Sequence, residues 1–265
     1  MIDKSSNIVL KTNNLKIGYQ HKKQTFCVAD NINITLSKGQ FVCLLGKNGI
    51  GKSTLLRTLT KVQSGLGGNI LIDNKSLETI SNIDLAKKMS LVLTEKIPDS
   101  NLNVYEIIAL GRQPYTNWIG NLTDNDKTYV DFAIEQTNIR GIVYKKYNEL
   151  SDGQLQKVMI ARALAQNTEI IILDEPTVHL DIQNKVEIFK LLKTLSLKHE
   201  KTILISSHEI QLALQLANQL WLMNDEGIIS GPTENLIANG SVANLFSSNL
   251  VTFDAKSKQF IINPE

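Results

Sequence analysis

The sequence predicts an α/β fold built on a parallel sheet, and three observations carry that prediction. Short runs at residues 41–45, 170–173, 203–205 and 220–223 are apolar on both faces, the pattern of strands covered above and below by helices. Helical patterns at 52–61, 153–166, 181–198 and 209–217 alternate with them. A Gly-rich turn at 46–54 joins the first buried run directly to the first helical one.

Taken in order, residues 31–36 (Asn-Ile-Asn-Ile-Thr-Leu) alternate polar and apolar with period two, as a strand with one buried face does. Residues 70–72 read as a second short strand and 89–93 as a third. From Glu95 to Leu150 the best patterns are helical, notably 104–110 and 124–138, so 95–150 reads as an inserted, mainly helical subdomain. After Asp225 come a short strand, a helix around 234–238 and a polar tail to Glu265 whose pattern assigns no structure.

With 265 residues, and roughly 150 per domain, the chain is one large domain or one with an embedded subdomain. Lys plus Arg number 28 against 26 Asp plus Glu, a net charge of +2, so no broad field draws it to nucleic acid or anionic lipid. No apolar run approaches the ~20 residues that span a bilayer, and residues 1–10 lack the apolar core of a secretory signal; a cytoplasmic chain is expected. Cys27 and Cys43 both sit among apolar residues without metal or redox spacing, which predicts two reduced core thiols.

Chemistry concentrates in four segments. Gly46-Lys47-Asn48-Gly49-Ile50-Gly51-Lys52-Ser53-Thr54 fits G-x-x-x-x-G-K-[ST], a turn whose backbone N–H groups and helix start cradle phosphates. Lys52 then supplies a point charge for the β- and γ-phosphates, and the Ser53 hydroxyl an oxygen for Mg²⁺. The run 170–173 ends in Asp174-Glu175. Two acids at the end of a buried strand call for a cation, with Asp174 in the metal shell and Glu175 as general base toward an attacking water; alone, the pair reads equally as an acidic turn before Pro176. Leu150-Ser151-Asp152-Gly153-Gln154 opens a helix, where Ser151 taken singly is an N-cap. Ser206-Ser207-His208 follows the run 203–205.

In chain order (phosphate loop, Ser151 segment, acid pair, Ser206-Ser207-His208) the four segments resemble those of the ATP-binding cassette (ABC) ATPases, and the resemblance extends over nearly the whole chain. It implies a P-loop NTPase core with a parallel sheet, an antiparallel β subdomain and an inserted helical subdomain: a single domain, 1–265, with core 1–94 and 151–227, insert 95–150 and C-terminal extension 228–265. Residues 150–154 match the family's Leu-Ser-Gly-Gly-Gln signature with Asp152 in place of the first glycine, which adds negative charge where a partner's triphosphate docks. By the same resemblance Ser151, Gly153 and Gln154 contact the ATP of a second copy, and Asp181 ends the loop 177–181 that crosses the dimer interface. His208 matches the switch histidine at the γ-phosphate, and Tyr19 the aromatic that stacks on adenine. His179 matches no family role and reads as a loop residue. Glu95 stands where glutamine is usual; a carboxylate can ligate Mg²⁺ but lacks the amide's N–H donors and is repelled by phosphate.

The cofactors implied are ATP and Mg²⁺. The partners implied are a second copy in a nucleotide-sandwich dimer, membrane permease subunits docked on the helical insert and, indirectly, a substrate-binding protein, with no nucleic acid. Such a subunit works at the cytoplasmic face of the cell membrane. Residues 110–120 (Leu-Gly-Arg-Gln-Pro-Tyr-Thr-Asn-Trp-Ile-Gly) look like the helical insert of importer ATPases for iron-siderophore, haem and cobalamin, although a Pro-aromatic turn also suits plain packing. The alternatives are an importer of another small solute, a soluble ABC ATPase of translation or repair, and a nucleotide-binding regulator without turnover. Single phosphate loop, short insert and balanced charge favour the transport motor.

Overall fold

A computed structural model describes residues 7–22, 24–94, 101–117 and 120–263. The chain divides into two compact units, residues 1–80 with 202–265, and residues 81–201.

At the centre of the first unit the strand Phe41–Gly46 is buried at every position. It runs parallel to Thr202–Ser206 on one side and to Gln219–Asn224 on the other, and Gly227–Pro232 adds an antiparallel strand outside the latter. Apolar residues on both strand faces match a strand covered on both sides; the same burial pushes the Cys43 thiol well above its ordinary pKa, leaving it inert. The helix Lys52–Leu59 follows the central strand and buries Leu55, Leu56 and Leu59. A second, antiparallel sheet is built on the strand Ile8–His21, which pairs with Gln24–Ile32, Thr35–Ser37 and Gly67–Ile72.

Three expectations for this unit are corrected or extended. The alternating stretch 31–36 is not one strand: Gln24–Ile32 ends and Thr35–Ser37 begins around Asn33. Asn31 takes φ 53°, and the Asn33 side chain donates to the Asn31 carbonyl at 3.0 Å and accepts from Asn14 N–H at 2.8 Å, so asparagine amides take over from the ladder. Cys27 is exposed, not a core thiol, because Gln24–Ile32 lies at the edge of its sheet and most of its side chains face outward. The polar tail folds: after the helices Thr233–Ala238 and Ser241–Phe246, strands Val251–Asp254 and Gln259–Ile262 form a hairpin. Phe260 stacks edge-on to Phe246 at 6.1 Å and lies 4.9 Å from Phe253, giving the hairpin an aromatic core of its own.

In the second unit Met89–Val92 runs parallel to Ile170–Asp174, all five residues of the latter being buried. The helices Val104–Ala109 and Asp124–Gln136 both pack on Asp152–Ala165, and Asn82–Lys88 and Ile182–His199 are further helices of the unit. Between the first two helices the 3₁₀ turn Leu110–Tyr115 sends Arg112 into the interior. The guanidinium is 3 % exposed and donates to Asp126 at 2.9 Å and to the Ala165 carbonyl at 2.9 Å. Its faces meet the rings of Tyr115 and Tyr129, 4.0 and 4.4 Å from their centroids. The 110–120 segment thus acts in packing through Arg112; Trp118 and Ile119 lie outside the described residues. Among the described residues no helix is long and apolar enough to cross a membrane.

Candidate functional site

In the first unit the phosphate loop stands where the spacing puts it, leaving the carboxyl end of Phe41–Gly46 and entering the helix Lys52–Leu59. Its shape depends on glycine. Gly51 has φ 110°, and a Cβ there would lie 2.2 Å from Val28 Cγ1, so no other residue closes the loop against the antiparallel sheet. Gly49 also takes a left-handed φ of 75°, while Asn48 and Lys47 face solvent. Lys52 is 4 % exposed, its amine folded over the loop to donate to the carbonyls of Gly46 at 3.0 Å and Lys47 at 3.1 Å. Ser53 stands half-buried in the first turn of the helix.

Two further predicted residues converge on this loop. The Tyr19 hydroxyl is 2.5 Å from Thr54 Oγ1, which fixes the ring beside the helix start while about half of the residue remains exposed. Thr202–Ser206 runs beside the loop's own strand with Leu44 opposite Ser206, and Ser207 N–H donates to the Leu44 carbonyl at 3.1 Å. Exposed His208 therefore emerges on the same sheet edge as Gly46 and Lys47, the edge at which α/β sheets bind ligands.

The second unit gathers the remaining predicted residues. Ser151 is the N-cap of Asp152–Ala165: its Oγ accepts from Gln154 N–H at 3.3 Å, and Gln154 Oε1 accepts from Ser151 N–H at 3.2 Å. The reciprocal pair is a capping box. Asp181 caps Ile182–His199, accepting from the backbone and side-chain N–H groups of Asn184 at 2.9 and 2.7 Å; these bonds hold its carboxyl below the ordinary value. A Cβ on Gly153 would lie 2.6 Å from Asn184 Oδ1, so the two helix starts meet at a residue without a side chain.

Asp174 is buried at the end of its strand, and Thr94 Oγ1 donates to its carbonyl at 2.9 Å. Glu175 takes φ 48°, a left-handed conformation that costs a non-glycine residue roughly 1–2 kcal/mol and that clusters at functional positions. Asp152, Gln156, Glu175 and His179 line one cavity of about 60 Å³. Sequence reasoning missed Gln156 and gave His179 no role; neither fits a motif, and only the fold brings them to Glu175. Glu95 lies outside the described residues.

These residues suit a nucleotide with its Mg²⁺. In the first unit Gly49 and Gly51 give a backbone cradle for phosphate, Lys52 a cation and Ser53 a hydroxyl; in the second, considered by itself, Asp174 offers a buried carboxylate. Among the described residues no three His, Cys, Asp or Glu side chains converge on a metal. Mg²⁺ needs no such cage, being held by one or two protein oxygens together with phosphate.

The family model described as ABC transporter matches residues 29–178. The petrobactin import ATP-binding protein FpuC of Bacillus anthracis is 32% identical over 246 residues, 92% of this chain and 90% of that protein. Among solved structures, an inward-facing ABC transporter of metal-chelate type superposes with a TM-score of 0.77 at 26% identity, covering 96% of each chain. A dimeric ATP-binding cassette in a post-hydrolysis state, bound to ADP and Pi, superposes with a TM-score of 0.72 at 26% identity over 84% of this chain and 98% of the other.

Proposed function

This chain belongs to the ABC transporter family, as its ATP-binding and ATP-hydrolysing subunit, and from that premise we propose that it powers uptake of a metal chelate of the siderophore type through a separate permease. The observation that carries the cargo class is the likeness of 92% of the chain to a petrobactin import subunit. Haem, cobalamin and other small solutes are the competing cargoes. A substrate-binding protein outside the membrane delivers the chelate to the permease, and this subunit sits beneath it at the cytoplasmic face.

The domain reading that goes with this is a core of 1–94 and 151–227, an insert of 95–150 that docks on the permease, and an extension of 228–265. The residue roles follow the chemistry of each group. Tyr19, held through Thr54, offers its ring to adenine. Backbone N–H groups of 46–54 donate to the phosphate oxygens, and the Lys52 amine exchanges two neutral carbonyls for anionic oxygens, bonds about twice as strong. Ser53 and Asp174, with Glu95 as a further oxygen, hold Mg²⁺, which when bound neutralises charge on the β- and γ-phosphates. Glu175 takes the proton of the attacking water, and His208 donates to the γ-phosphate. A second copy contributes Ser151, Gly153, Gln154 and Asp181, so the triphosphate bridges two chains until it is cut.

Replacing Lys52 with alanine is expected to lower ATP turnover roughly 10²–10³-fold, because it removes the cation whose amine is folded over the phosphate loop. The same variant tests the cargo. Cells relying on this subunit lose uptake of ferric siderophore, and a multi-span permease co-purifies with the chain from membranes. Unchanged siderophore uptake alongside lost turnover would remove the cargo assignment and leave the ATPase assignment intact.

A further inference from the structure

Tyr19 and Phe26 stand directly opposite each other where the strand Ile8–His21 pairs with Gln24–Ile32. Residues that face each other across an antiparallel pair project from the same face of the sheet, with Cβ atoms about 4.5–5.5 Å apart, so the two rings rise side by side. Both are half in solvent, Tyr19 at 49 % and Phe26 at 55 % exposure. A single exposed aromatic is ordinary. Two of them paired on one face, with Phe26 on the edge strand of its sheet, make an apolar surface of the kind that edge strands as a rule avoid.

The phosphate loop fixes where this pair sits. The Tyr19 hydroxyl is 2.5 Å from Thr54 Oγ1, in the first turn of the helix Lys52–Leu59. Two residues beyond Phe26 on its own strand, Val28 lies against the loop itself, where a Cβ on Gly51 would come within 2.2 Å of Val28 Cγ1. Phe26 is thus flanked by both points at which these strands touch the loop and its helix, across the pair from one and two residues from the other. All of these residues belong to the first compact unit. A nucleotide whose phosphates lie on the backbone of 46–54 and whose base stacks on Tyr19 brings that base beside Phe26.

We propose that Phe26 is a second aromatic contact for the base of the bound nucleotide, meeting the part of the purine that the Tyr19 ring leaves uncovered. Aromatic rings prefer offset or edge-to-face arrangements with centroids 4.5–7 Å apart, a spacing that two rings side by side on one sheet face present to a base lying over them. Phe26 has no polar side-chain atom, so it adds affinity through the π-surface without reading the hydrogen-bonding edge of the base. It belongs to no motif in the sequence; strand register alone puts it opposite Tyr19.

Phe26 reaches the base only if Tyr19 stacks on it, the role proposed above, and the experiment separates the two. In the full-length chain, Phe26→Ala is expected to raise the Kd for Mg²⁺-ATP roughly 10-fold, the cost of losing one aromatic platform, as read by calorimetric titration. The affinity for Mg²⁺-tripolyphosphate, which carries no base, stays at the parental value. Phe26→Tyr, which keeps a ring, recovers most of the ATP affinity. Because Phe26 is exposed, the melting midpoint of Phe26→Ala without nucleotide stays within about 2 °C of the parent's. A parental Kd for ATP in Phe26→Ala, an equal weakening toward tripolyphosphate, or no recovery in Phe26→Tyr overturns the proposal; the equal weakening would assign Phe26 to support of the loop through Val28. Parental ATP affinity in Tyr19→Ala would overturn the stacking role beneath it instead.

Discussion

Glu175→Gln is expected to lower ATP turnover by roughly 10²–10⁴-fold, the usual contribution of a positioned general base, while ATP still binds. The substitution keeps the shape of the side chain and its fit to the cavity shared with Gln156 and His179, but the amide cannot take a proton. Binding rests on other groups: the Lys52 amine, the backbone of 46–54 and the tethered Tyr19. An uncut triphosphate then continues to satisfy donors from both copies, so the variant accumulates as an ATP-bound dimer, whereas the parent returns to monomer as it hydrolyses. Size-exclusion chromatography with Mg²⁺-ATP, alongside phosphate release, reads both effects. Normal turnover, or a dimer that disperses as fast as the parent's, would take the base role away from Glu175.

Much of this was legible in the sequence because the physics involved is local. Residues 41–45, 170–173 and 203–205 are apolar on both faces, and only a buried strand places both faces of so short a run out of water. The phosphate loop was legible through spacing, since Gly51 must reach φ 110° where a side chain would strike Val28. What stayed hidden depends on contacts between distant segments. Phe246, Phe253 and Phe260 form the core of the C-terminal hairpin, but their spacing of seven fits neither the period of a strand nor a dense helical stripe. Cys27 looked like a core residue because its neighbours are apolar; its exposure follows from the edge position of its strand, which pairing decides. Gln156 and His179 reach Glu175 only because the segment 175–180 folds back over the helix Asp152–Ala165. Arg112 lay inside a segment read for its family likeness, and its burial between Tyr115 and Tyr129 is a tertiary fact.

That burial predicts a large stability loss for Asp126→Ala. Asp126 is 3 % exposed and accepts from Arg112 Nε at 2.9 Å, and from the Thr123 hydroxyl and N–H at 2.6 and 2.9 Å. Alanine leaves the buried guanidinium with the Ala165 carbonyl and two aromatic faces but, among the described residues, no counter-charge, and breaking such a pair costs about 3–5 kcal/mol. At 2–4 °C per kcal/mol in a chain of this size, that lowers the melting midpoint on the order of 10 °C. The pH dependence identifies the cause. Burial raises the Asp126 pKa, but the bonds from Thr123 and Arg112 outweigh it and hold the carboxyl below its ordinary value. A carboxylate with a depressed folded pKa contributes fully above its unfolded pKa of about 3.9 and loses that contribution as pH falls through the lower folded value. The gap between parent and variant should therefore stay constant from pH 7 down to about pH 5 and shrink only below about pH 4. Equal midpoints at pH 7 would show that Arg112 is held by Tyr115, Tyr129 and Ala165 without its carboxylate. A gap that persists unchanged into strong acid would assign the loss to packing around Thr123 instead of to charge.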